Sequence, residues 1–146
     1  MTPEIRRAAA GDAAALTRMM HESAAYAGAY ARILDGYAVT PDQIARDHVF
    51  VAEEDAVLGF YSLTLEPEAE LDLLFVAEHA QGRGIGRLLM DHLRTTAAAL
   101  GISSIRIVSH PPALGFYEAS GAVRIGTKPA SGKVGWERPI LDLAIG

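Results

Sequence analysis

A strand-like run, a turn carrying three glycines and a helical pattern follow one another without interruption between residues 70 and 101. The run ELDLLFV (residues 70–76) is apolar and β-branched or aromatic at its end. The stretch AEHAQGRG follows it, and in IGRLLMDHLRTTAAALG the residues Ile85, Leu88, Leu89, Leu93 and Ala97 recur at helical spacing before Gly101 ends the pattern. A strand that feeds a helix through so short a turn must have that helix packed back on its own sheet. This predicts an α/β architecture.

The flanking segments extend the same alternation. PEIRRAA predicts a first strand, and Asp12 a helix N-cap ahead of Leu16, Met19, Met20 and Ser23 on one face. YAGAYARILDGYAV reads as a second short helix and a loop, and Thr40 with Pro41 starts another helix. HVFVAEE, AVLGFYSLTLE and AELDLLFVA read as a three-strand meander. SSIRIVSH, VRIGTK and RPILDLAI predict further strands, and PPALGFYEASGA a short helix. The result is a mixed sheet with helices on both faces. A chain of 146 residues with neither repeat nor low-complexity linker is expected to form one domain, residues 1–146.

Composition limits what the domain binds. The net charge of −5 argues against a nucleic-acid binder, which would carry a basic footprint. Cysteine is absent, so disulfides, thiolate metal sites and a cysteine nucleophile are ruled out. The five histidines form no H-E-x-x-H or comparable pair, so no metal is expected and each histidine reads as a surface or capping residue, with His110 the one nearest the site. No apolar run reaches the ~18 residues of a membrane helix, and the N-terminal stretch lacks a continuous apolar core, so a cytoplasmic protein with no membrane partner is expected.

The glycine turn fits neither common nucleotide motif. Counted from Gly82 and Gly84, the third Rossmann glycine is replaced by Arg87, and neither Gly86-Arg87 nor Gly132-Lys133 begins a P-loop ending. What remains is a strand, a bare turn and a helix N-terminus, where free N–H groups and the helix dipole favour an anion. Glycine at 82, 84 and 86 would let a phosphate approach the backbone, with Arg83 and Arg87 adding charge. The competing reading is a tight turn with both arginines in solvent.

The stretch Gln81-Gly82-Arg83-Gly84-Ile85-Gly86 resembles the Q/R-x-x-G-x-G/A acetyl-coenzyme A signature of the GNAT (Gcn5-related N-acetyltransferase) superfamily. IRRAAAGDAAAL resembles the family's first strand and helix, and HPPALGFYEASGAVRIG its closing strand-helix-strand, so the resemblance covers nearly the whole chain. It implies a mostly antiparallel sheet of about seven strands, splayed between the fourth and fifth, with acetyl-coenzyme A in the gap and no metal. It further implies transfer of the acetyl group to an amine by direct attack in a ternary complex. The acceptor would be a small molecule or a peptide, and the family often forms homodimers. One residue departs from the pattern: Pro112 stands where many members carry an Asn that bonds the pantetheine arm.

The resemblance also assigns roles. Phe75 and Val76 lie where family members use a backbone N–H on the fourth strand for the developing oxyanion. Residues 81–87, namely Gln81, Gly82, Arg83, Gly84, Ile85, Gly86 and Arg87, would hold the cofactor. Tyr117 matches the tyrosine placed near the coenzyme A sulfur, where a phenol of pKa ~10 would protonate a thiolate of ~8.5 at little cost. The alternative for Tyr117 is packing beside Phe116. Glu70 and Asp72, two apart on a strand, point to one face. Asp72 aligns best with the family's base, with Glu70 or a water relay as alternatives and solvated carboxylates as the plain reading. Glu66 and Glu68 read as surface residues; Tyr26, Tyr30 and Tyr37 lie where the family's acceptor-site loop would be, with packing the plainer reading and recognition the alternative, and Trp136 in the late loop is open between the same two. A non-catalytic acyl-coenzyme A-binding sensor with the same fold is the competing function, kept open by Pro112.

Overall fold

The computed structural model describes residues 3–26, 28–132 and 134–145; Lys133, in the late Gly- and Pro-containing loop, lies outside the described residues. Seven strands, β1 (Glu4–Arg7), β2 (His48–Glu54), β3 (Ala56–Thr64), β4 (Glu70–Val76), β5 (Ser104–Val108), β6 (Val123–Lys128) and β7 (Arg138–Ala144), form one sheet in the order β1-β2-β3-β4-β5-β7-β6. Every neighbouring pair is antiparallel except β4 with β5. Among the described residues four α-helices accompany them: α1 (Ala13–His21), α2 (Pro41–Arg46), α3 (Ile85–Ala99) and α4 (Leu114–Ala119).

The parallel pair decides the shape. β4 and β5 meet at a single register pair, Glu70 with Arg106, supported by the Arg106 N–H on the Ala69 carbonyl at 2.9 Å. Beyond it the strands part, so their C-terminal ends leave a V-shaped gap. This is the splay that the family resemblance implies.

A bulge in β4 accompanies the splay. Leu63 opposes Leu71 and Ser62 opposes Leu73, which leaves Asp72 as the extra residue. A bulge resets the side-chain alternation. Leu71 accordingly packs in one core while Leu73, two residues on, packs against the other. One core lies under α3 and α4, the other under α1, α2 and two 3-10 segments, Ala24–Tyr26 and Gly28–Leu34.

α3 buries Ile85, Leu89, Met90, Leu93 and Ala97, each large side chain contributing about 1.5–3 kcal/mol. Leu88, expected on that face, is only half-buried, and Met90 takes its place. α3 comes close to the sheet because β3 has Gly59 beneath it: a Cβ there would lie 2.8 Å from the Phe75 carbonyl oxygen and 3.1 Å from Ile85 and Leu89.

Several local expectations change. Thr40 does cap α2, its Oγ1 accepting from the Gln43 N–H at 3.1 Å. Asp12 does not cap α1. A 3-10 turn (Ala10–Asp12) precedes the helix, and the Asp12 carboxylate instead accepts from the Ala9 N–H at 2.7 Å and from both Arg6 Nη atoms at 2.9 Å. Ser23 lies beyond the end of α1, and the second short helix is the pair of 3-10 segments. PPA, likewise, forms a 3-10 turn before α4, with its two prolines at the first positions, where no N–H is needed.

Candidate active site

The gap between β4 and β5 opens into a cavity of about 580 Å³, within the range of small-molecule sites. Residues 71–76 of β4 form one wall. Val108, His110 and Arg138 contribute from the β5–β7 side, residues 81, 82 and 84–87 from the glycine turn, Ala113, Phe116 and Tyr117 from the α4 region, and Tyr26, Ile33, Leu34 and Tyr37 from the 3-10 segments.

The β4 wall presents backbone as well as side chains. The Ala77 N–H bonds the Leu58 carbonyl at 2.8 Å, and antiparallel ladders alternate, so the Val76 N–H points away from β3. It therefore faces the side from which β5 has departed. Phe75 is buried and stacks on Phe60 at 5.8 Å between centroids, which holds this part of the wall in place.

The geometry of the glycine turn fits a pyrophosphate. Gly82 and Gly84 both have φ of +78°, and a Cβ at either would meet no protein atom within 4 Å, so the turn needs glycine for its backbone and leaves open space above it. No side chain caps α3, which leaves its first N–H groups for a ligand. Arg87 lines the cavity and makes no ion pair or side-chain hydrogen bond among the described residues. Gly86 serves packing instead, since a Cβ there would lie 3.0 Å from the Phe116 ring, and its absence lets α3 start against α4. Gln81 clasps the turn, its Nε2 donating to the Val76 carbonyl at 3.1 Å.

Arg83 departs from the sequence expectation. It lies outside the cavity lining, and its guanidinium is 3.4 Å from the Glu54 carboxylate. With left-handed glycines on either side, the turn sends this side chain toward β2, leaving Arg87 as the arginine of the cradle.

Tyr117 is buried and packs on Phe116, centroids 5.3 Å apart, and it also lines the cavity. Burial holds its phenol well above the ordinary value, with the Tyr26 phenol adding to the effect. The hydroxyl thus stays neutral as a donor, but full proton transfer to a thiolate costs more than the matched values of the free groups imply.

Asp72 lies on the β4 wall at the solvent-accessible end of the cavity. Partial desolvation raises its carboxyl above the usual range, and the charges of Glu70 and Asp47 raise it further against a smaller opposing effect of Arg46. Glu70 and Asp72 are thus close enough to sense one another, as their spacing implies. The bulge that re-aims Asp72 has no signal in that spacing.

His110, the histidine that the sequence sets nearest the site at a strand end beside the gap, is buried in the cavity wall. Two further residues acquire a place the sequence does not mark. His92 is also not a plain surface residue: its Nδ1 is 2.8 Å from the Tyr61 hydroxyl, and burial lowers its pKa. Arg138, at the start of β7, lines the cavity opposite β4. Pro112 is exposed and outside the lining, and the neighbouring Ala113 N–H is taken by the His110 carbonyl at 2.9 Å, so neither the Pro112 side chain nor the Ala113 N–H replaces the missing Asn.

Comparison with known proteins agrees with this geometry. The Acetyltransferase (GNAT) domain family matches residues 45–121. A peptidyl-lysine N-acetyltransferase, YjaB, from Salmonella typhimurium is 32% identical over 95 residues, 65% of this chain and 61% of that protein, so the match spans less than two thirds of the relative's length. Among solved structures, a PaiA N-acetyltransferase from Thermoplasma acidophilum in complex with coenzyme A superposes with a TM-score of 0.79 at 20% identity, covering 99% of each chain. A GCN5-related N-acetyltransferase from Rhodopseudomonas palustris gives a TM-score of 0.81 at 22% identity over 99% of this chain and 96% of that one.

Proposed function

This chain belongs to the GNAT acetyltransferase family, and from that premise we propose that it transfers the acetyl group of acetyl-coenzyme A to an amine by direct attack in a ternary complex. The observation that carries the reading is the convergence of three features on one cavity: the outward Val76 N–H, the uncapped glycine turn and the Tyr117 hydroxyl.

In this reading residues 82 and 84–87 hold the pyrophosphate, through glycine backbone and the α3 N-terminus, with the Arg87 guanidinium beside them. Leu74, Val76 and Phe116 offer an apolar bed for the pantetheine arm. Bound acetyl-coenzyme A supplies an activated acyl carbon and a thiol leaving group. The Val76 N–H faces the charge that develops on the thioester oxygen, a type of contact typically worth about 2.7–4 kcal/mol.

An alkyl ammonium of pKa ~10.4 must lose a proton before it attacks. Asp72 receives it, directly or through water, and its raised affinity for protons suits it to that role. As the C–N bond forms and the C–S bond breaks, the Tyr117 hydroxyl bonds the departing sulfur and covers its negative charge. One domain of residues 1–146, acting on a small molecule or a peptide in the cytoplasm and able to pair as a homodimer, completes the reading.

The test is release of coenzyme A from acetyl-coenzyme A, followed with a thiol reagent across amino acids, polyamines, aminoglycosides and lysine peptides. Acceptor-dependent release supports the proposal. Tight acetyl-coenzyme A binding with no release above hydrolysis would favour the sensor reading, consistent with the missing contacts at Pro112 and Ala113.

A further inference from the structure

The half of the cavity away from the glycine turn has its own chemistry. Its floor and sides are apolar or aromatic, formed by Tyr26, Ile33, Leu34, Tyr37, Leu73 and Phe75. Ser23 and His110 add polar atoms, and two charged groups break that pattern. Asp72 stands on the β4 wall and Arg138 on the β7 wall opposite.

Arg138 is a cation without a counterpart. Its Nε is buried and bonds nothing, and its guanidinium enters no ion pair among the described residues. Two residues earlier, the Trp136 Nε1 is a second buried donor without an acceptor. Trp136 packs edge-on against Tyr30 at 4.8 Å, Tyr30 packs on His110 at 4.5 Å, and Arg138 is near enough to Tyr26 to stabilise its ionised form. Buried donors are normally satisfied, and the Arg138 donor lies on the cavity wall, where an acceptor from outside the chain can reach it.

β7 places Arg138 on the α1 side of the sheet, because Leu141 and Leu143, of opposite parity, fill the core under α3. That is the side away from the glycine turn, so the missing acceptor is not a cofactor phosphate. One planar guanidinium, with no glycine nest or second cation at this wall among the described residues, matches a carboxylate better than a phosphate dianion.

We propose that the acceptor is a small amine that also carries a carboxylate, an amino-acid-like zwitterion whose carboxylate pairs with Arg138 and whose amine faces the β4 wall. The proposal rests on the acetyltransferase reading for the identity of this half as the acceptor site. The aromatic segment around Tyr26 and the limited volume, shared with the pantetheine arm, favour a free small molecule over a peptide.

Trp136 is the only tryptophan in the chain and serves as a built-in reporter. Its emission is titrated, with coenzyme A present, using L-phenylalanine, L-leucine and N-acetyl-L-phenylalanine against phenethylamine and 3-methylbutylamine. Saturable responses to the carboxylates, about tenfold or more tighter than to the decarboxylated amines, are expected from one charge-assisted pair. Arg138→Met should bring that ratio to within about twofold, and Arg138→Lys should keep an intermediate preference. The Lys variant carries the comparison should Met prevent folding. Equal binding of the amines, a ratio unchanged in both variants, or loss of coenzyme A affinity in either variant would overturn the assignment. Carboxylate binding through Arg138 without acetyl transfer to any of these amino acids would uphold the anion site and count against the catalytic reading alone.

Discussion

The phenol ring of Tyr26 lies flat against the imidazole of His110, centroids 3.9 Å apart and planes inclined by 11°. The same phenol touches Phe75 at 5.2 Å. One side chain from a 3-10 segment thus links β4 to the end of β5, across the gap where the sheet itself makes no hydrogen bonds. Burial pushes its phenol up to about 12, so it is a neutral wedge at any working pH.

Tyr26→Ala should loosen both walls at once. Each aromatic pair is worth about 0.5–1.5 kcal/mol beyond its area, so the two pairs alone account for about 1–3 kcal/mol and the lost ring burial adds to that in denaturant unfolding, with a raised KM for the acceptor. Tyr26→Phe retains the stack and should retain both properties. Equal midpoints for the wild type and the Ala variant would show that the wedge supports nothing.

Tyr117→Phe removes the cavity hydroxyl and keeps the ring against Phe116. Turnover should fall about a hundredfold, the lower end for a positioned proton donor, while coenzyme A affinity by calorimetry stays within about twofold. A wild-type rate, with chemistry shown to be limiting, would assign Tyr117 to packing.

Asp72→Asn should slow the reaction and stabilise the fold at neutral pH. The sign follows from the raised carboxyl: the folded state holds this proton more tightly than the unfolded chain, whose value is ~3.9. As pH rises from below that value through the higher folded one, the native protein loses stability that the Asn variant keeps. The gain in Tm should therefore be present at pH 7 and vanish near pH 3. A gain that persists in acid would refute the electrostatic origin.

Gly84→Val combines a left-handed backbone with a β-branched side chain directed into the open space over the turn. A loss of coenzyme A affinity of tenfold or more is expected, against a stability cost of about 1–2 kcal/mol from the strained φ. Unchanged affinity in a folded variant would remove the pyrophosphate from this turn.

Much of the fold and of the glycine turn proposed to hold the cofactor is legible along the chain because it is local. The strand, glycine turn and helix at residues 70–101 are written in apolar spacing and in residues that suit only certain backbone angles, and so is the Thr40-Pro41 start of α2. Asp12 escapes such a reading, because an N-cap signal says which oxygen is available but not that Arg6 and the Ala9 N–H will compete for it.

What the amino-acid order determined by itself is the set of elements and the bare, uncapped start of α3, since both follow from covalent geometry and period. The splay of β4 from β5, the bulge at Asp72, the diversion of Arg83 to Glu54 and the meeting of Tyr26, His110 and Arg138 across the gap were decided only by the tertiary structure. Each depends on partners far apart in the chain, and nothing in a strand's own alternation states where its neighbour will leave it.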